Sequence, residues 1–369
     1  MTDSNSMPPK FFFLLPLIVL VAGQTYVSRK LWLLLPFPSA AKISILALMV
    51  LADVCFFLPF FRLTDAWPLS VMRWVYQIGC SWLVIFFYLF LVFLLSDIAR
   101  WTKLMPQNWM TGNLVTTGVL SLTFLLLFVY AYLHYDHKQR VELNVDTQGK
   151  LSRPLRLVMV SDLHLGYHNT RSDLHRWLQQ LLAEKPDAIL IAGDIIDGNY
   201  RPVREERMAE EFRELPVPVF ACLGNHDYLT GLDNDLTFCQ EAHIQVLRDS
   251  AVQWQDMLLT GRDDRMNPHR KPLKVILKEA DRSKYILAMD HQPYHLEQAE
   301  QAGVDFEFAG HTHHGQIWPF NWVTDAVYEK SYGSHSRGKT QYYISSGLGI
   351  WGPKFRIGTQ SEYVVLNLK

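Results

Sequence analysis

Cysteine is scarce: the 369 residues hold four, Cys55, Cys80, Cys222 and Cys239, and no two form a CxxC pair. That argues against a disulfide framework and against a structural zinc ribbon. Glycine and proline, at 20 and 18, are too few for collagen, and 49% apolar content is too high for a disordered chain. Charge is missing from one part only. Residues 1–135 carry 8 Lys/Arg and 4 Asp/Glu, and every one of the 14 histidines lies at His134 or later. The rest of the chain holds 27 basic and 32 acidic side chains, as an ordinary soluble domain would. The composition therefore divides near residue 136. The later part has the wrong sign of charge, and no long basic stripe, for binding a nucleic-acid backbone.

The charge-poor part reads as membrane. Residues 74–96 and 111–133 are uncharged over 23 positions each, and residues 43–61 are apolar up to Phe61 apart from Asp53. Each is long enough to cross a hydrocarbon core of about 30 Å. Residues 11–27 form a weaker span, shortened by Pro16 and closed by Arg29 and Lys30. A signal peptide is the other reading of that first run. Four spans place both termini on one side. Lys10, Arg62, Arg73, Lys138 and Arg140 then face five basic residues opposite, Arg29, Lys30, Lys42, Arg100 and Lys103, so the positive-inside rule does not choose. A short N-terminal tail that need not be exported favours a cytoplasmic soluble domain, at a bacterial inner membrane. Asp53 is a candidate functional carboxylate by its place in a span; the plainer reading is a protonated or helix-bonded side chain.

In the later part, Val141, Leu143 and Val145 alternate with polar residues, as in a half-buried strand. A turn follows at residues 147–150. Then come short apolar runs, each ending in a polar cluster. Residues 155–160 lead to Ser161-Asp-Leu-His164, 188–192 to Gly193-Asp-Ile-Ile-Asp197, and 217–222 to Gly224-Asn-His-Asp227. Residues 285–289 lead to Asp290-His-Gln-Pro293, and 304–309 to Gly310-His-Thr-His313. Helical patterns at 172–184 and 203–214 separate the early runs, so a largely parallel sheet is expected, with ligands gathered beyond its strand ends.

Delivered to one edge, these clusters offer Asp162, His164, Asp194, Asn225, His291, His311 and His313. Oxygen and nitrogen donors without thiolate suit manganese, iron(II) or zinc. Residues two apart in an extended chain share a side, so Asp162 with His164, and His311 with His313, are each expected to face one site. Seven ligands exceed one tetrahedral ion and suit two ions, the usual clamp for phosphoryl displacement.

The series DxH, GDxxD, GNHD, HxP and GHTH, in that order over residues 139–369, resembles the calcineurin-like metallophosphoesterase superfamily. The run from Gly310 to Gln316, Gly261-Arg-Asp-Asp264 and Ser346-Gly-Leu-Gly-Ile-Trp-Gly352 resemble a bacterial membrane-associated subgroup, which more often has glycine in place of His314. The resemblance implies a four-layer α/β/β/α sandwich of two mixed sheets. It implies one metal on Asp162, His164 and His313, another on Asn225, His291 and His311, and Asp194 between them. His226 would protonate the leaving oxygen, and Asp197 would orient it, while a metal-bridged hydroxide attacks phosphorus. Manganese is the first choice of metal. The superfamily includes bacterial UDP-2,3-diacylglucosamine pyrophosphatases, so a phosphate or pyrophosphate on a lipid or lipid-linked precursor is the expected substrate. A soluble phosphodiester, or a receptor or transport module without activity, are the alternatives.

Other polar positions carry weaker expectations. Tyr167, His168, Asn169 and His295 are read as solvated loop residues or pocket lining. Arg356 binds a phosphate or pairs with an acid. Arg262, Arg265, His269, Arg270 and Lys271 are read as a solvated basic loop. Trp318, Trp322 and Trp351 grip a lipid or base, or rest at a membrane surface.

Overall fold

The computed structural model describes residues 9–60, 64 and 66–369. The chain forms two compact units, Met1–Phe128 and Val129–Lys369.

Helices α1 (Pro9–Leu34), α2 (Ser39–Phe57), α3 (Leu69–Trp101) and α4 (Leu114–Asp136) account for the apolar part. Among the described residues, α2, α3 and α4 are long and apolar enough to cross a membrane. The weaker first run is helical too, but it does not close at Arg29 and Lys30. It continues to Leu34 because its charge is matched: Tyr26 donates to Asp97 of α3 at 2.7 Å, and Lys30 pairs with the same carboxylate. Val27 and Leu34 of α1 pack in one apolar cluster with Phe93 of α3. Asp53 is not alone in its span. It accepts a hydrogen bond from the Trp82 indole at 2.7 Å, which ties α2 to α3.

The second unit holds two six-stranded mixed sheets. Its elements are β1 (Lys138–Val145), β2 (Leu155–Val160), α5 (Arg171–Ala183), β3 (Ala188–Ala192), α6 (Tyr200–Glu205), α7 (Ala209–Arg213), β4 (Val219–Cys222), α8 (Asn225–Glu241), β5 (Ile244–Val246) and β6 (Ser250–Trp254). Then follow β7 (Met257–Gly261), α9 (Leu273–Ile276), β8 (Tyr285–Met289), α10 (Glu297–Ala302), β9 (Phe306–Ala309), α11 (Phe320–Val327), β10 (Gly333–Arg337), β11 (Thr340–Ile344) and β12 (Ser361–Leu368). The first sheet runs β1-β12-β2-β3-β4-β5 and the second β10-β11-β9-β8-β7-β6. Strands β2 to β5 are mutually parallel, as are β7, β8, β9 and β11. The five polar clusters therefore do not leave one sheet, as the strand-helix alternation had implied. Three follow β2, β3 and β4, and two follow β8 and β9.

Continuous apolar runs, rather than alternating ones, explain this. Every residue of β3, β4, β8 and β9 is buried, so each strand is covered on both faces. One apolar cluster joins the sheets, with Leu157, Met159, Leu190 and Phe220 meeting Leu259, Leu287, Met289 and Phe308. A second joins the first sheet to helices, through Val158, Ile189 and Ile191 with Leu174, Trp177, Phe212 and Phe238. A third joins Ile286, Ala288 and Ile344 to Leu273, Leu296 and Ala299.

The helix expected at 172–184 is α5, started by a capping box between Thr170 and Asp173. The helix expected at 203–214 is broken into α6 and α7, because Arg207 takes a left-handed φ of 57° and Met208 turns fully inward. Leu190, fully buried between the sheets, sets a test of this packing. Leu190→Ala removes side-chain volume where neither sheet can close up, at about 2–5 kcal/mol. The transition should fall by on the order of 10 °C in a thermal melt of the detergent-solubilised protein, and an unchanged melting temperature would contradict the two-sheet core.

Candidate metal centre

The loops after β2, β3, β4, β8 and β9 meet at the same ends of their strands. Asp162, His164 and His313 bring ligand atoms within 4.8 Å of one another, and so do Asp194, His291 and His311. His164, Asp194 and His226 form a third such group, which links the first two. Nε2 of His164 lies 3.1 Å from Nε2 of His313 and 3.6 Å from Oδ2 of Asp194. Nε2 of His313 is 3.5 Å from Asp162, and Nε2 of His291 is 3.1 Å from Asp194. Asn225 opens α8 beside His226, whose backbone N–H donates to Asp194 at 2.8 Å. Nδ1 of His226 lies 2.9 Å from Asp197. All nine expected residues thus come from five loops to one place.

The extended geometry expected for the paired motifs is not what brings them there. Asp162, His164, Asp194, His311 and His313 all have left-handed backbones, with φ of 57°, 46°, 54°, 73° and 47°. Each such residue costs roughly 1–2 kcal/mol unless its surroundings hold it. His311 and His313 consequently point into different groups, His311 towards Asp194 and His313 towards Asp162. Two glycines allow the loops to pass so closely. A Cβ on Gly224 would sit 2.2 Å from Oδ1 of Asp194, and one on Gly310 would sit 2.4 Å from Oδ2 of Asp162.

Burial sets the electrostatics. Desolvation and the Asp194 charge raise the Asp162 carboxyl to about 6, although charge on His291 opposes them. Burial would raise Asp194 too, but the His291 charge, their contact and His164 together hold it well below the usual carboxylate range. Burial pushes His164 down to about 4, His311 to about 3 and His313 well below its ordinary value, so these three imidazoles are neutral at pH 7. His226 goes the other way. Burial opposes its charge, but the Asp197 bond and the charges of Asp194 and Asp197 outweigh it and bring it to about 9.

The donor set fits divalent ions. Nδ1 of His291 faces the Ala192 carbonyl at 2.7 Å, which can only accept, so Nε2 is the nitrogen turned to Asp194. Among the described residues the buried Oδ1 of Asn225 meets no hydrogen-bond donor, which is the condition of an oxygen shaped to meet a cation. His164 and His313 are both neutral and direct Nε2 at each other, an arrangement that a shared cation satisfies on both sides.

A second set of residues, to which the sequence assigned no role or a different one, supports these loops. Asp227, the last residue of GNHD, accepts from the backbone N–H groups of Asp194, Ile195, Ile196 and Gly224, tying the β3 and β4 loops together. Asn169 is no solvated loop residue. It is fully buried and donates to the carbonyls of Leu163, His164 and Ile350. Tyr167 and His168 are buried as well, whereas His295 is exposed beside Glu297. Arg356 makes its hydrogen bonds to backbone carbonyls and hydroxyls rather than to an acid among the described residues. Fully buried, it donates to the carbonyls of His313, Ser346 and Gly349 and braces the last ligand loop. The expected solvated basic loop is in part buried: Arg262 and Arg270 both pair with Asp290, next to His291. His314 turns from the cluster, stacks on Tyr332 at 4.8 Å and lies 3.5 Å from Asp325. The GNHD motif was the one available signal for Asp227. Asn169 and Arg356 stood in no motif, and only the folded backbone shows what they bind.

Gly310→Ala tests the geometry. Its Cβ must displace Asp162 or Ser161, so metal content measured by mass spectrometry should fall several-fold while the circular dichroism spectrum keeps its α/β shape. Full metal content would show that Asp162 is not fixed by that close approach.

Comparison with known proteins places this centre. The profile of the calcineurin-like phosphoesterase family matches residues 155–315. An uncharacterised metallophosphoesterase of Campylobacter jejuni is 28% identical over 276 residues, covering 72% of this chain and 74% of that protein. One from Aquifex aeolicus is 29% identical over 259 residues, covering 67% and 98% respectively. A transmembrane protein with metallophosphoesterase domain from Danio rerio is 26% identical over 344 residues, covering 85% and 77%. The matched residues contain all nine positions gathered at the strand ends: residues 155–315 carry a calcineurin-like phosphoesterase domain, similar to proteins named metallophosphoesterases, which implies hydrolysis of phosphoester bonds.

Proposed function

We propose that this is a membrane-anchored phosphoesterase that holds two divalent ions and cleaves a phosphate ester or pyrophosphate of a lipid or lipid-linked precursor. One ion is assigned to Asp162, His164 and His313, the other to Asn225, His291 and His311, with Asp194 shared. The observation that carries this is the linkage of the three donor groups through His164 and Asp194. Manganese is the first choice, with iron(II) or zinc as alternatives, since the donors are oxygen and nitrogen. Helix α1 is taken as a fourth span, and the soluble domain as a four-layer α/β/β/α sandwich, in keeping with its three apolar clusters. The domain is assigned to the cytoplasmic face of a bacterial inner membrane. A lipid substrate follows from a catalytic domain carried on the same chain as three membrane-length helices.

The ions, when bound, supply positive charge to the phosphate oxygens and make water more acidic. The protein's own groups do the rest. His226 keeps a proton at neutral pH through Asp197, which accepts from Nδ1 and leaves Nε2–H free to be given to the departing oxygen. Asp197 also fixes the ring's orientation. The carboxylate of Asp194 holds the His226 backbone, so the acid and the shared ligand move as one piece.

Two variants separate these roles. Asp194→Asn should lose both metal and turnover. His226→Ala should keep its metal but lose about 10²–10⁴-fold in turnover on alkyl phosphoesters, and much less on a nitrophenyl ester whose leaving group needs no proton. Equal losses on both esters would remove His226 from the acid role. Chelation should abolish hydrolysis, and added manganese should restore it; turnover in the chelated, metal-free protein would refute the two-ion reading. Purified protein in detergent should hydrolyse phosphatidate-type or lipid-pyrophosphate substrates, and activity confined to water-soluble diesters would overturn the lipid assignment.

A further inference from the structure

Helix α11 lies within the second unit and buries none of its residues. Around it stand Trp318, Phe320, Trp322, Val323 and Val327, exposed by 40%, 41%, 62%, 54% and 60%, with Trp351 nearby at 42%. An eight-residue helix of this composition is held by something other than its own burial. Its two ends supply the answer. The chain enters it from His313 through residues 314–319, and leaves it at Tyr328, whose ring stands 6.3 Å from His311. The intervening segment is pinned further. Trp318 N–H donates to Ile357, Gln316 donates to the Trp351 carbonyl, and buried Thr312 donates to Ser331. Trp351 itself lies 6.4 Å from the His226 ring. The exposed apolar surface is thus anchored at both ends to residues of the metal centre and borders the general-acid side of it.

We propose that the α11 segment, with Trp318 and Trp351, is a bilayer-insertion surface that seats the mouth of the metal centre in the headgroup region of the membrane. The inference rests on the proposed membrane setting, and it adds how a head group reaches buried ligands. Large apolar residues exposed on a folded domain, here Trp322, Val323, Val327 and Trp351, mark a surface that another phase or molecule covers. Three features select the bilayer as that occupant. The same chain carries helices of membrane length, so lipid is always within reach of this domain. Three of the exposed residues are tryptophans, which favour the level where acyl chains meet headgroups. Charge on the segment from Trp318 to Val327 is confined to Asp325, so attraction to anionic lipid contributes little and apolar burial must drive the contact. An apolar face of this kind enters the interface to a depth of about 5–10 Å. A phosphate at that depth would then need no extraction into water to meet His226.

The test uses the full chain reconstituted into phosphatidylcholine vesicles. The four native cysteines are all buried, so an environment-sensitive fluorophore placed on Val323→Cys reports from α11, and one on Glu279→Cys, whose side chain is 88% exposed, reports from solvent. At position 323 emission should shift to the blue, quenching by aqueous iodide should fall several-fold relative to position 279, and lipids brominated near the headgroup should quench strongly. Free access of iodide to position 323 overturns the proposal. So does protection from iodide without quenching by brominated lipid, since protein, including a second copy of the chain, would then be the cover. The readout needs no substrate: a protein that fails to hydrolyse lipid phosphates but shows lipid quenching at 323 would lose the substrate reading and keep the insertion surface.

Discussion

Two carboxylates buried side by side govern this protein. Asp162 is 0% and Asp194 1% exposed, and a chain that removes like charges from water together must answer them with positive charge or with protons. Both answers are visible. Charge on His291 compensates Asp194, while Asp162 is pushed towards its protonated form. Neither is a resting arrangement that evolution of a stable core would select, since apolar residues of the same volume would cost less. It is an arrangement suited to cations. A divalent ion beside Asp194 would replace the proton on His291, and the three neutral histidines already present lone pairs. Binding then releases protons and relieves the carboxylates at once.

The frame must hold this frustration against the tendency of the loops to move apart. The left-handed backbones at five of the expected ligands are stable only because other groups fix both sides of each loop. Asp227 accepts four hydrogen bonds from the backbone around Asp194 and Gly224. Asn169 does the same, as a donor, for the loop of Asp162 and His164. Arg356 does so for His313. Each of these is a charged or amide group buried for the sake of backbone polar atoms, which cannot be left unpaired out of water. Beneath them the apolar layer between the sheets sets the distance between the β2–β4 loops and the β8–β9 loops. Hence two of the three donor groups draw on both sheets: Asp162 and His164 need His313, and Asp194 needs His291 and His311.

What could be read from the sequence followed from this division of labour. Runs such as residues 188–192 and 285–289 coincide with β3 and β8 because a strand buried on both faces is a short unbroken apolar run ended by turn residues. The polar clusters after them were legible for the same reason. Their distribution over two sheets was not, because strand-helix alternation describes neighbours along the chain and says nothing of a second sheet packed face to face. Local backbone was the other blind point. Spacing of two residues suits an extended chain, whereas His311 and His313 sit in a left-handed turn and diverge. The buried partners, Asn169, Asp290 with Arg262, and Arg356, looked like ordinary loop polarity, since a residue's burial depends on contacts distant in sequence. In the apolar part, helices were evident from length and lack of charge, while the extension of α1 to Leu34 depended on Asp97, nearly seventy positions away.

Charge also has to be read locally to understand what this site accepts. The soluble part carries more acidic than basic residues, and on that measure alone it should repel phosphate. Inside the centre the sum would change sign once the proposed ions are bound. Two divalent ions together with the His226 imidazolium would outweigh Asp162, Asp194 and Asp197 and leave a positive well in a negative surface. Such a field attracts a single phosphate at short range, where low-dielectric walls sharpen it, but offers nothing to the neighbouring phosphates of a long polyanion. The surface around the well must therefore supply the remaining affinity by other means, and beside the His226 mouth what it presents is apolar: Trp351. A small charged group on an apolar body would satisfy both demands, and the phosphorylated lipid proposed as substrate has that chemistry.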